Sequence, residues 1–343
     1  MDKLAVIILN WNGVEMLEQY LHSVVSFSQL EGVTVWVADN GSTDQSIQLL
    51  ESEYPTVSLL KLDENYGFAE GYNRAIQAIE AEYIVLLNSD VEVTPHWLEP
   101  IITYLNQHPE TAACQPKILS WHSKDHFEYA GAAGGFIDKW GYPFCRGRIM
   151  DTLERDEGQY DTVVPLFWAT GAALCIRRTV YLEVGGLDPR FFAHMEEIDL
   201  CWRLGARGYK IMAIPQSTVY HVGGGTLDKS NPRKTFLNFR NNLLMLYKNL
   251  PDQKLKKVML MRLILDYIAI LVFILKGNLK FAQAVYKARK EYHALKKSFS
   301  YNRKENLSVT VAEPKGVLNG SLIWSYYLRR KNKFTQICEN INI

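Results

Sequence analysis

The sequence has almost no net charge, few cysteines and no low-complexity segment. Its 343 residues carry 38 Lys and Arg against 37 Asp and Glu, so no overall field favours nucleic acid as a partner. The five cysteines are scattered, and no CxxC pair occurs. This odd, dispersed set argues against a disulfide framework and a structural zinc site, and it predicts reduced thiols in a cytoplasmic setting.

The N-terminus lacks the pattern of a secretory signal. Its apolar run from Leu4 to Leu9 is too short for the apolar core of a signal peptide, and Asn10 ends it. The run is better interpreted as a buried first strand. With 48% hydrophobic and 22% charged residues, the chain is expected to form one large globular domain with an extension.

The first part of the chain alternates between strands and helices. Apolar runs at 4–9, 33–38, 57–62 and 83–88 are each followed by a segment with helical spacing. This alternation predicts an α/β fold, a parallel sheet covered by helices on both faces. Ser42 and Thr43 are predicted to cap the second helix, and Thr94 the fourth, with Pro95 at its first position.

Polar residues follow all four predicted strands, at 10–12, 39–40, 63–65 and 88–90. Asn and Asp suit turns and often end strands for that reason alone. Ligands of parallel sheets, however, bind outside the carboxyl ends of the strands, so four polar ends at one edge favour a polar ligand pocket. No GxGxxG and no GxxxxGK[ST] occurs, which argues against a dehydrogenase and against a P-loop enzyme.

Three of these positions suggest a nucleotide. Asp39 can accept hydrogen bonds from a ribose or a base. Gly67 and Gly71 at a helix start, beside Asn65 and Asn73, would let a diphosphate approach backbone N–H groups, although such glycines also serve packing. Asp90 ends a buried strand, where it is either a turn residue or a ligand of Mg²⁺ or Mn²⁺.

The stretch "PRFFAHMEEIDLCWR" places three carboxylates, Glu196, Glu197 and Asp199, beside aromatic residues. Like charges and apolar neighbours both raise the pKa of a carboxyl group. Such crowding fits a catalytic site. It also fits an ordinary acidic first helical turn, which the helix dipole favours, and Asp199 is the residue that this alternative suits best.

From residue 236 onward the chain is predicted to be helical. The stretch 258–275 is apolar except for Arg262 and Asp266, which lie four residues apart and can pair. Two charges in so short a stretch disfavour a membrane span. Because lysines bracket it, we expect a helical hairpin on an anionic membrane surface, the alternatives being packing on the domain or in a homo-oligomer. Residues 300–343 are uninformative, and the charge run at 328–333 is either solvated or a lipid contact.

A set of motifs makes the chain similar to a known family. In order along residues 3–245 they are "VIILNWNG", "VADNGSTDQS", "ENYGFAEGYNRA", "LLNSDVEV", "TGAALCIRR", "GGLDPRFFAHMEEIDLCWR" and "YHVGGGT". The chain thereby resembles the family 2 glycosyltransferases of the GT-A fold, in particular their rhamnosyltransferase-like bacterial branch. No single motif is specific, but the ordered set is.

The resemblance implies roles for individual residues. Contacts with a nucleotide sugar fall on Asn10, Asn12, Asp39, Asn65, Gly67, Asn73, Asn88 and Asp90. Residues 88–90 occupy the family's DxD motif with Asn in place of the first Asp, so Asp90 is the expected ligand of Mg²⁺ or Mn²⁺, with His221 as a further ligand. The catalytic cluster is Glu197, Glu196 and Asp199, with Glu197 as the base and Glu196 as its neighbour, the exchange of these two roles being the alternative. Acceptor contacts fall on Trp168, Thr170 and Gly171, Trp168 being equally suited to the core.

The expected enzyme is therefore an inverting, metal-dependent hexosyltransferase. It would move a sugar from a nucleoside-diphosphate sugar to a saccharide, expected to be lipid-linked, for surface polysaccharide at the inner face of the cell membrane. Residues 1–245 would form the GT-A domain, with a nucleotide half (1–110) and an acceptor half (111–245), and residues 246–343 a helical, membrane-associating extension. A non-catalytic sugar-nucleotide binder and a haloacid-dehalogenase-like phosphotransferase are the alternatives.

Overall fold

A computed structural model describes residues 2–223 and 231–343; the end of the YHVGGGT motif, residues 224–226, lies outside them. The strands are β1 (Asp2–Asn10), β2 (Val33–Asn40), β3 (Ser58–Leu62), β4 (Ala81–Leu87), β5 (Val91–Val93), β6 (Thr111–Ser120), β7 (Gly135–Asp138), β8 (Pro143–Cys145), β9 (Arg148–Ile149), β10 (Thr152–Leu153), β11 (Val164–Pro165), β12 (Ala173–Arg177), β13 (Lys210–His221) and β14 (Val317–Leu318). The helices are α1 (Val14–Phe27), α2 (Ser46–Glu53), α3 (Gly67–Ala78), α4 (Glu99–Gln107), α5 (Arg178–Glu183), α6 (Glu196–Ala206), α7 (Pro232–Asn249), α8 (Asp252–Leu275), α9 (Leu279–Leu295), α10 (Ser300–Ser308) and α11 (Leu322–Tyr327).

The central sheet is mostly parallel, as the alternating pattern predicts. Its strand order is β11-β13-β6-β12-β4-β1-β2-β3, with β5 paired to β13. Strands β1 to β4 pair in parallel, β13 runs parallel to β6, and β12 is antiparallel to both β4 and β6. The carboxyl ends of β1, β2 and β4 therefore meet at one edge, where the predicted polar residues lie.

Helices cover both faces of this sheet because alternate residues of each strand point to opposite sides. In β1, Leu4, Val6 and Ile8 belong to the apolar cluster that also contains α1 and α4 side chains. Ala5 and Ile7 belong to a second cluster on the other face, together with α3 side chains. Residues 4–8 are thus buried on both sides, which explains their uninterrupted apolar run.

Two predicted helix starts were wrong. Helix α2 begins at Ser46 rather than at Ser42, because the Ser42 hydroxyl accepts a hydrogen bond from the backbone N–H of Asn12 at 2.9 Å instead of capping a helix. Helix α4 begins at Glu99 rather than near Thr94, because the Thr94 hydroxyl donates to the carbonyl of Thr218 at 2.7 Å.

A second sheet has the order β10-β9-β8-β7-β14 and lies mostly within the predicted acceptor half, residues 111–245. Its last strand, β14, comes from the C-terminal segment and pairs in parallel with β7. The Phe334 ring packs against Phe136, Phe144 and Tyr160, with ring centroids 4.9, 6.2 and 5.7 Å away. One apolar cluster therefore runs across the predicted boundary at residues 245–246, and the segment after 309 completes the domain.

Helices α7, α8 and α9 form a helical layer in which α9 packs between the other two. The predicted pair forms at the α8–α9 contact: Arg262 and Asp266 lie 3.4 Å apart, and Arg289 of α9 contacts Asp266 at 2.6 Å. All three are buried, so the polar face of α8 points toward the protein. Its apolar side chains instead face outward, with 37–77% exposed: Leu260, Leu263, Ile264, Tyr267, Ile268, Leu271, Val272, Ile274 and Leu275.

Candidate active site

The ends of β1 and β2 form a polar cradle. Asp39 is 1% exposed, and its two oxygens accept hydrogen bonds from Asn10 Nδ2 at 3.1 Å and from the Ser42 N–H at 2.9 Å. Asn10 Oδ1 is buried and has no partner, so it is available to a donor group on a ligand. Asn12 adopts φ 49° and accepts a hydrogen bond from the Thr43 N–H at 2.8 Å. Trp11, which lies between Asn10 and Asn12 in the sequence, is 55% exposed at the same edge.

The turn into α3 is the second part of this edge. Asn40 Nδ2 donates to Asn65 Oδ1 and to the Gly67 carbonyl, each at 3.1 Å. Asn65 Oδ1 also accepts the Gly67 N–H at 2.9 Å, and Gly67 adopts φ 75°, which suits glycine. Asn65 therefore shapes the turn that opens α3 at the predicted nucleotide edge.

Asn73 does not fit its expected role as a nucleotide contact. Its Nδ2 donates to the Leu187 carbonyl at 2.8 Å, while its Oδ1 accepts from the Tyr181 hydroxyl at 2.6 Å and from the Leu187 N–H at 3.0 Å. The amide is thus occupied by the loop after α5. The sequence-based expectation fails because Asn73, nearly two helical turns inside α3, points toward the neighbouring loop rather than the strand ends.

Asp90 and His221 form the expected pair near the end of β4. His221 Nε2 lies 3.1 Å from Asp90 Oδ1 and 3.4 Å from Asn88 Nδ2, while His221 Nδ1 lies 3.5 Å from Glu128 Oε1. Burial alone would lower the pKa of His221, but the hydrogen bond with Asp90 and the nearby Glu128 carboxylate raise it to about 10. Burial alone would raise the pKa of Asp90. Its interactions, chiefly with His221, outweigh burial, so the pKa is lowered.

These residues fit a divalent cation that is shared with a diphosphate. Asp90 and His221 would hold the ion through a carboxylate oxygen and an imidazole nitrogen, which are donor types that Mg²⁺ or Mn²⁺ can use. Glu128 on the far imidazole nitrogen is the arrangement that orients a metal-bound histidine. Within residues 2–223 and 231–343, no group of three or more His, Cys, Asp and Glu side chains is placed to hold a metal. The protein would therefore supply two ligands and the diphosphate and water the others, as is usual for this kind of ion.

The acidic cluster is carried by a strained turn. Phe192, His194 and Met195 all have positive φ values, 67°, 69° and 77°, which are unfavourable for residues with side chains. Asn241 of α7 holds the turn: its buried Nδ2 donates to the carbonyls of Phe191, Ala193 and His194, each at 2.8 Å. Strain held by a buried amide fixes where α6 begins, and Glu196 and Glu197 are its first two residues.

Glu196 and Glu197 are neighbouring acids at the start of α6. Glu196 is 5% exposed, and among the residues that the structure describes neither buried Oε2 has a hydrogen-bond partner. Burial raises the pKa of Glu197 to about 7. Burial raises the pKa of Glu196 further above its usual range, and the charge of Glu197 adds to this effect. Near neutral pH, Glu197 is therefore partly ionised.

Asp199 lies away from this pair, and its catalytic assignment does not fit. It is fully buried, and its oxygens contact Arg203 Nε at 2.9 Å, Lys248 Nζ at 2.8 Å and Asn249 Nδ2 at 2.7 Å. Asp199 lies three residues after Glu196 on α6. Its side chain therefore points toward α7 rather than toward the Glu196–Glu197 pair. Asp199 is therefore part of the ion-pair network that attaches α7 to α6.

The predicted acceptor wall divides in the same way. Trp168 is 4% exposed and its Nε1 donates to the Phe136 carbonyl at 2.9 Å, so it belongs to the core, the alternative that the sequence left open. Gly171 lies at the cleft: a Cβ placed on it would be 4.0 Å from Glu197 Cβ. The next residue, Ala172, accepts the Asn88 N–H at 3.0 Å, which links Glu197 to the Asn88–Asp90 segment.

Thr170 stabilises the backbone on both sides of Gly171 through hydrogen bonds. Its N–H donates to Gln115 Oε1 at 2.9 Å, and its hydroxyl accepts the Ala172 N–H at 3.3 Å. Thr170 is buried, so it positions Gly171 and is not itself exposed to an acceptor.

Two residues of the site were not predicted. Glu128, beside His221, lies in an irregular segment without any motif, and only the structure brings it to the histidine. Asn241 lies in the "FRNNLL" sequence, whose polar residues inside an otherwise apolar helical stretch are the signal that could have identified it.

Comparisons with known proteins agree with the fold and with the predicted family. Residues 5–144 match the family described as "Glycosyl transferase family 2", and residues 83–276 match "Glycosyl transferase family group 2". The N-acetylglucosaminyl-diphospho-decaprenol L-rhamnosyltransferase of Mycobacterium tuberculosis is 29% identical over 238 residues, which cover 64% of this chain and 76% of that protein.

Two solved structures share the fold. S. aureus TarS 1-349 in complex with UDP has a TM-score of 0.53 at 15% identity, covering 90% of this chain and 88% of that chain. The mannosyltransferase PcManGT from Pyrobaculum calidifontis, in complex with GDP-Man and Mn²⁺, has a TM-score of 0.51 at 12% identity, covering 90% and 85%. The architecture is therefore a GT-A fold, as predicted.

Proposed function

Since this chain belongs to the family 2 glycosyltransferases, we propose that it transfers a sugar from a nucleoside-diphosphate sugar to a hydroxyl of a lipid-linked saccharide, with inversion at the anomeric carbon and with a divalent cation. The observation that carries the proposal is the link between the two halves of the site. Glu197 lies against Gly171, and the adjoining Ala172 carbonyl binds Asn88, two residues before Asp90. The proposed base and the proposed diphosphate-binding segment are thus connected through the neighbouring residues Gly171 and Ala172.

Glu197 is the proposed base. An inverting transfer needs one group that removes the proton of the acceptor hydroxyl as its oxygen attacks the anomeric carbon. A carboxylate with a pKa of about 7 is ionised in a useful fraction at neutral pH and is more basic than an ordinary glutamate. Among the residues that the structure describes, its Oε2 has no hydrogen-bond partner and is free to accept that proton. Glu196, its neighbour, would contact the acceptor.

Asp90 and His221 are the proposed ligands of Mg²⁺ or Mn²⁺, which when bound would neutralise charge on the departing diphosphate. Glu128 would fix the orientation of the His221 ring. The Asn10–Asp39 cradle and the Asn65–Gly67 turn would hold the nucleoside and the diphosphate, with exposed Trp11 available to stack on the base. The donor sugar remains a rhamnose or another hexose, with UDP or dTDP as carrier.

The proposed acceptor is a saccharide on a lipid diphosphate at the cytoplasmic face of a membrane, for surface polysaccharide. The name of the mycobacterial relative describes such an acceptor. By length and composition α8 could cross a membrane, and only 17% of its most apolar stretch is buried. However, its charged residues Arg262 and Asp266 are paired with α9 inside the protein while its apolar residues face outward. A helix with its charged side chains toward the protein and its apolar side chains outward suits a position on the membrane surface.

A donor screen tests the chemistry. The protein is incubated with dTDP-rhamnose and UDP-hexoses, with Mg²⁺, Mn²⁺ or EDTA, and with a prenyl-diphosphate-linked N-acetylglucosamine as acceptor. We expect cation-dependent release of nucleoside diphosphate and a product of inverted anomeric configuration by NMR. Binding of a donor without turnover over the whole panel would favour a non-catalytic binder, and a retained configuration would remove Glu197 as a simple base.

A sedimentation assay tests the membrane contact. Vesicles with 30% anionic lipid are expected to bind the wild-type protein, and an Ile268→Glu, Leu271→Glu variant is expected to lose most of this binding, because each apolar side chain buried in the interface contributes about 1.5–3 kcal/mol. Leu182→Glu, at an exposed position of α5, is the control and should bind like the wild type. Equal binding by all three proteins would contradict the membrane contact.

A further inference from the structure

A groove of about 760 Å³ lies between α7 and α9, outside the site described above. Phe236 and Arg233 of α7 form one wall. Lys280, Lys287 and Lys290 line the other wall along one stripe of α9.

The groove is strongly cationic. All three lysines are exposed, and in the part of the chain that the structure describes no Asp or Glu lies within ion-pair distance of them. The acidic residue that lines the groove, Glu291, forms an ion pair with Arg240 at 2.7 Å. Four positively charged side chains thus line the groove, and the Glu291 carboxylate is already in an ion pair. Such a surface suits a ligand with two or more negative charges.

One end of the groove reaches the catalytic turn. The Arg233 guanidinium lies 5.3 Å from the centre of the Phe192 ring, and Arg240 donates to the Phe191 carbonyl at 3.0 Å. Phe192 is 50% exposed and lies five positions before Glu197 along the chain. A ligand in the groove would therefore approach the base from the side of this turn.

The other side of α9 leads to the apolar surface. Phe281 of α9 stacks on Phe273 of α8 with ring centroids 5.5 Å apart. Beyond this contact lie the exposed apolar side chains of α8, and Tyr286 of α9 is 56% exposed. The cationic groove is thus adjoined by the turn that precedes Glu197 and by the apolar face of α8.

We propose that the groove between α7 and α9 binds the diphosphate of a prenyl-diphosphate-linked acceptor. In such a molecule the reacting hydroxyl, the diphosphate and the prenyl chain follow each other in the same order as the base, the cations and the apolar face. This inference rests on the proposed function and adds to it the site that recognises the acceptor's charged linker. Lysine and arginine bind phosphate oxygens through charge-assisted hydrogen bonds, so the diphosphate rather than the sugar would supply most of the acceptor's affinity.

The test measures binding of geranylgeranyl diphosphate to the full chain in detergent micelles by calorimetry, with geranylgeraniol as the comparison. The wild-type protein is expected to bind the diphosphate and not the alcohol. Lys287→Glu, Lys290→Glu should weaken binding by at least about tenfold, the loss expected from two phosphate contacts replaced by repulsion. Equal binding of the diphosphate and the alcohol would overturn the proposal.

The control variant is Lys276→Glu, Lys297→Glu, which makes the same change in net charge at exposed positions outside the groove. It should bind geranylgeranyl diphosphate like the wild type. If both double variants lose affinity equally, the effect is general attraction for an anionic surface and the subsite is refuted. Circular dichroism melting curves verify that all variants are folded.

The experiment also separates this inference from the proposed function. Wild-type hydrolysis of the nucleotide sugar is measured in the same preparation. Groove binding without any donor turnover would refute the proposed function and leave the diphosphate subsite standing. Donor turnover without selective binding of the diphosphate would refute the subsite alone.

Discussion

Replacing Glu197 by Gln should nearly abolish sugar transfer while stabilising the protein. The substitution removes the proposed base and keeps the size of the side chain. General base catalysis by a positioned side chain contributes about 10²–10⁴-fold, so we expect a loss of that size in kcat. Nucleotide binding should be unchanged, because the nucleotide cradle lies at the ends of β1 and β2.

The stability gain follows from the raised pKa. A carboxyl group whose pKa is higher in the folded than in the unfolded protein holds its proton more tightly when folded. The folded state therefore loses stability as the pH rises from about 4.5 to about 7. That change in pKa corresponds to at most roughly 3 kcal/mol at pH 8. Gln carries no charge, so Glu197→Gln should raise the melting temperature at pH 8 and leave it nearly unchanged at pH 4.

Two measurements test this reasoning. The first is the kcat of transfer as a function of pH, which for the wild type should fall as the pH is lowered through about 7. The second is the melting temperature at pH 4 and pH 8. Glu53→Gln, at an exposed position in α2, is the matched control and should change neither quantity. A Glu197→Gln variant that transfers sugar within threefold of the wild type, or melts no higher at pH 8, would refute the reasoning.

Three further substitutions test the supporting residues. Glu128→Gln should weaken cation affinity in the presence of UDP by about 10–100-fold, measured by calorimetry, because the His221 ring loses its orienting carboxylate; unchanged affinity would contradict this. Asn241→Asp removes the donor to three carbonyls of the catalytic turn. It should lower kcat and the melting temperature, because each buried unpaired group costs about 1–3 kcal/mol. Full activity would show that the turn does not depend on these hydrogen bonds. Asp199→Asn should destabilise the protein by about 3–5 kcal/mol in urea unfolding, because Lys248 and Arg203 remain buried, whereas a stable but inactive variant would restore a catalytic role for Asp199.

The sequence predicted the elements whose residues repeat with a clear period. Strands β1 to β4 and helices α1 and α3 appear where the apolar runs and helical spacings place them, because their burial is set by the sheet itself. The starts of α2 and α4 could not be predicted, since Ser42 and Thr94 satisfy distant backbone groups instead of capping a helix. Those partners become neighbours only in the folded protein.

The same division holds for the candidate site. Residues at strand ends, such as Asp39 and Asp90, lie where the topology of a parallel sheet requires. Residues on helices depend on which face is turned to the cleft, and this explains why Asn73 and Asp199 are occupied elsewhere. Glu128 could not be found from the sequence, because nothing in its local pattern distinguishes it from a surface acid.

The parallel pairing of β14 with β7 has a consequence for biosynthesis. The second sheet cannot be completed until residues 317–334 have been made, since β14 and Phe334 supply its edge and part of its filling. The ribosome therefore releases the α8–α9 hairpin while this sheet is still open. A nascent chain can thus form the α8–α9 hairpin before its second sheet closes, so the order of synthesis separates these two steps of folding.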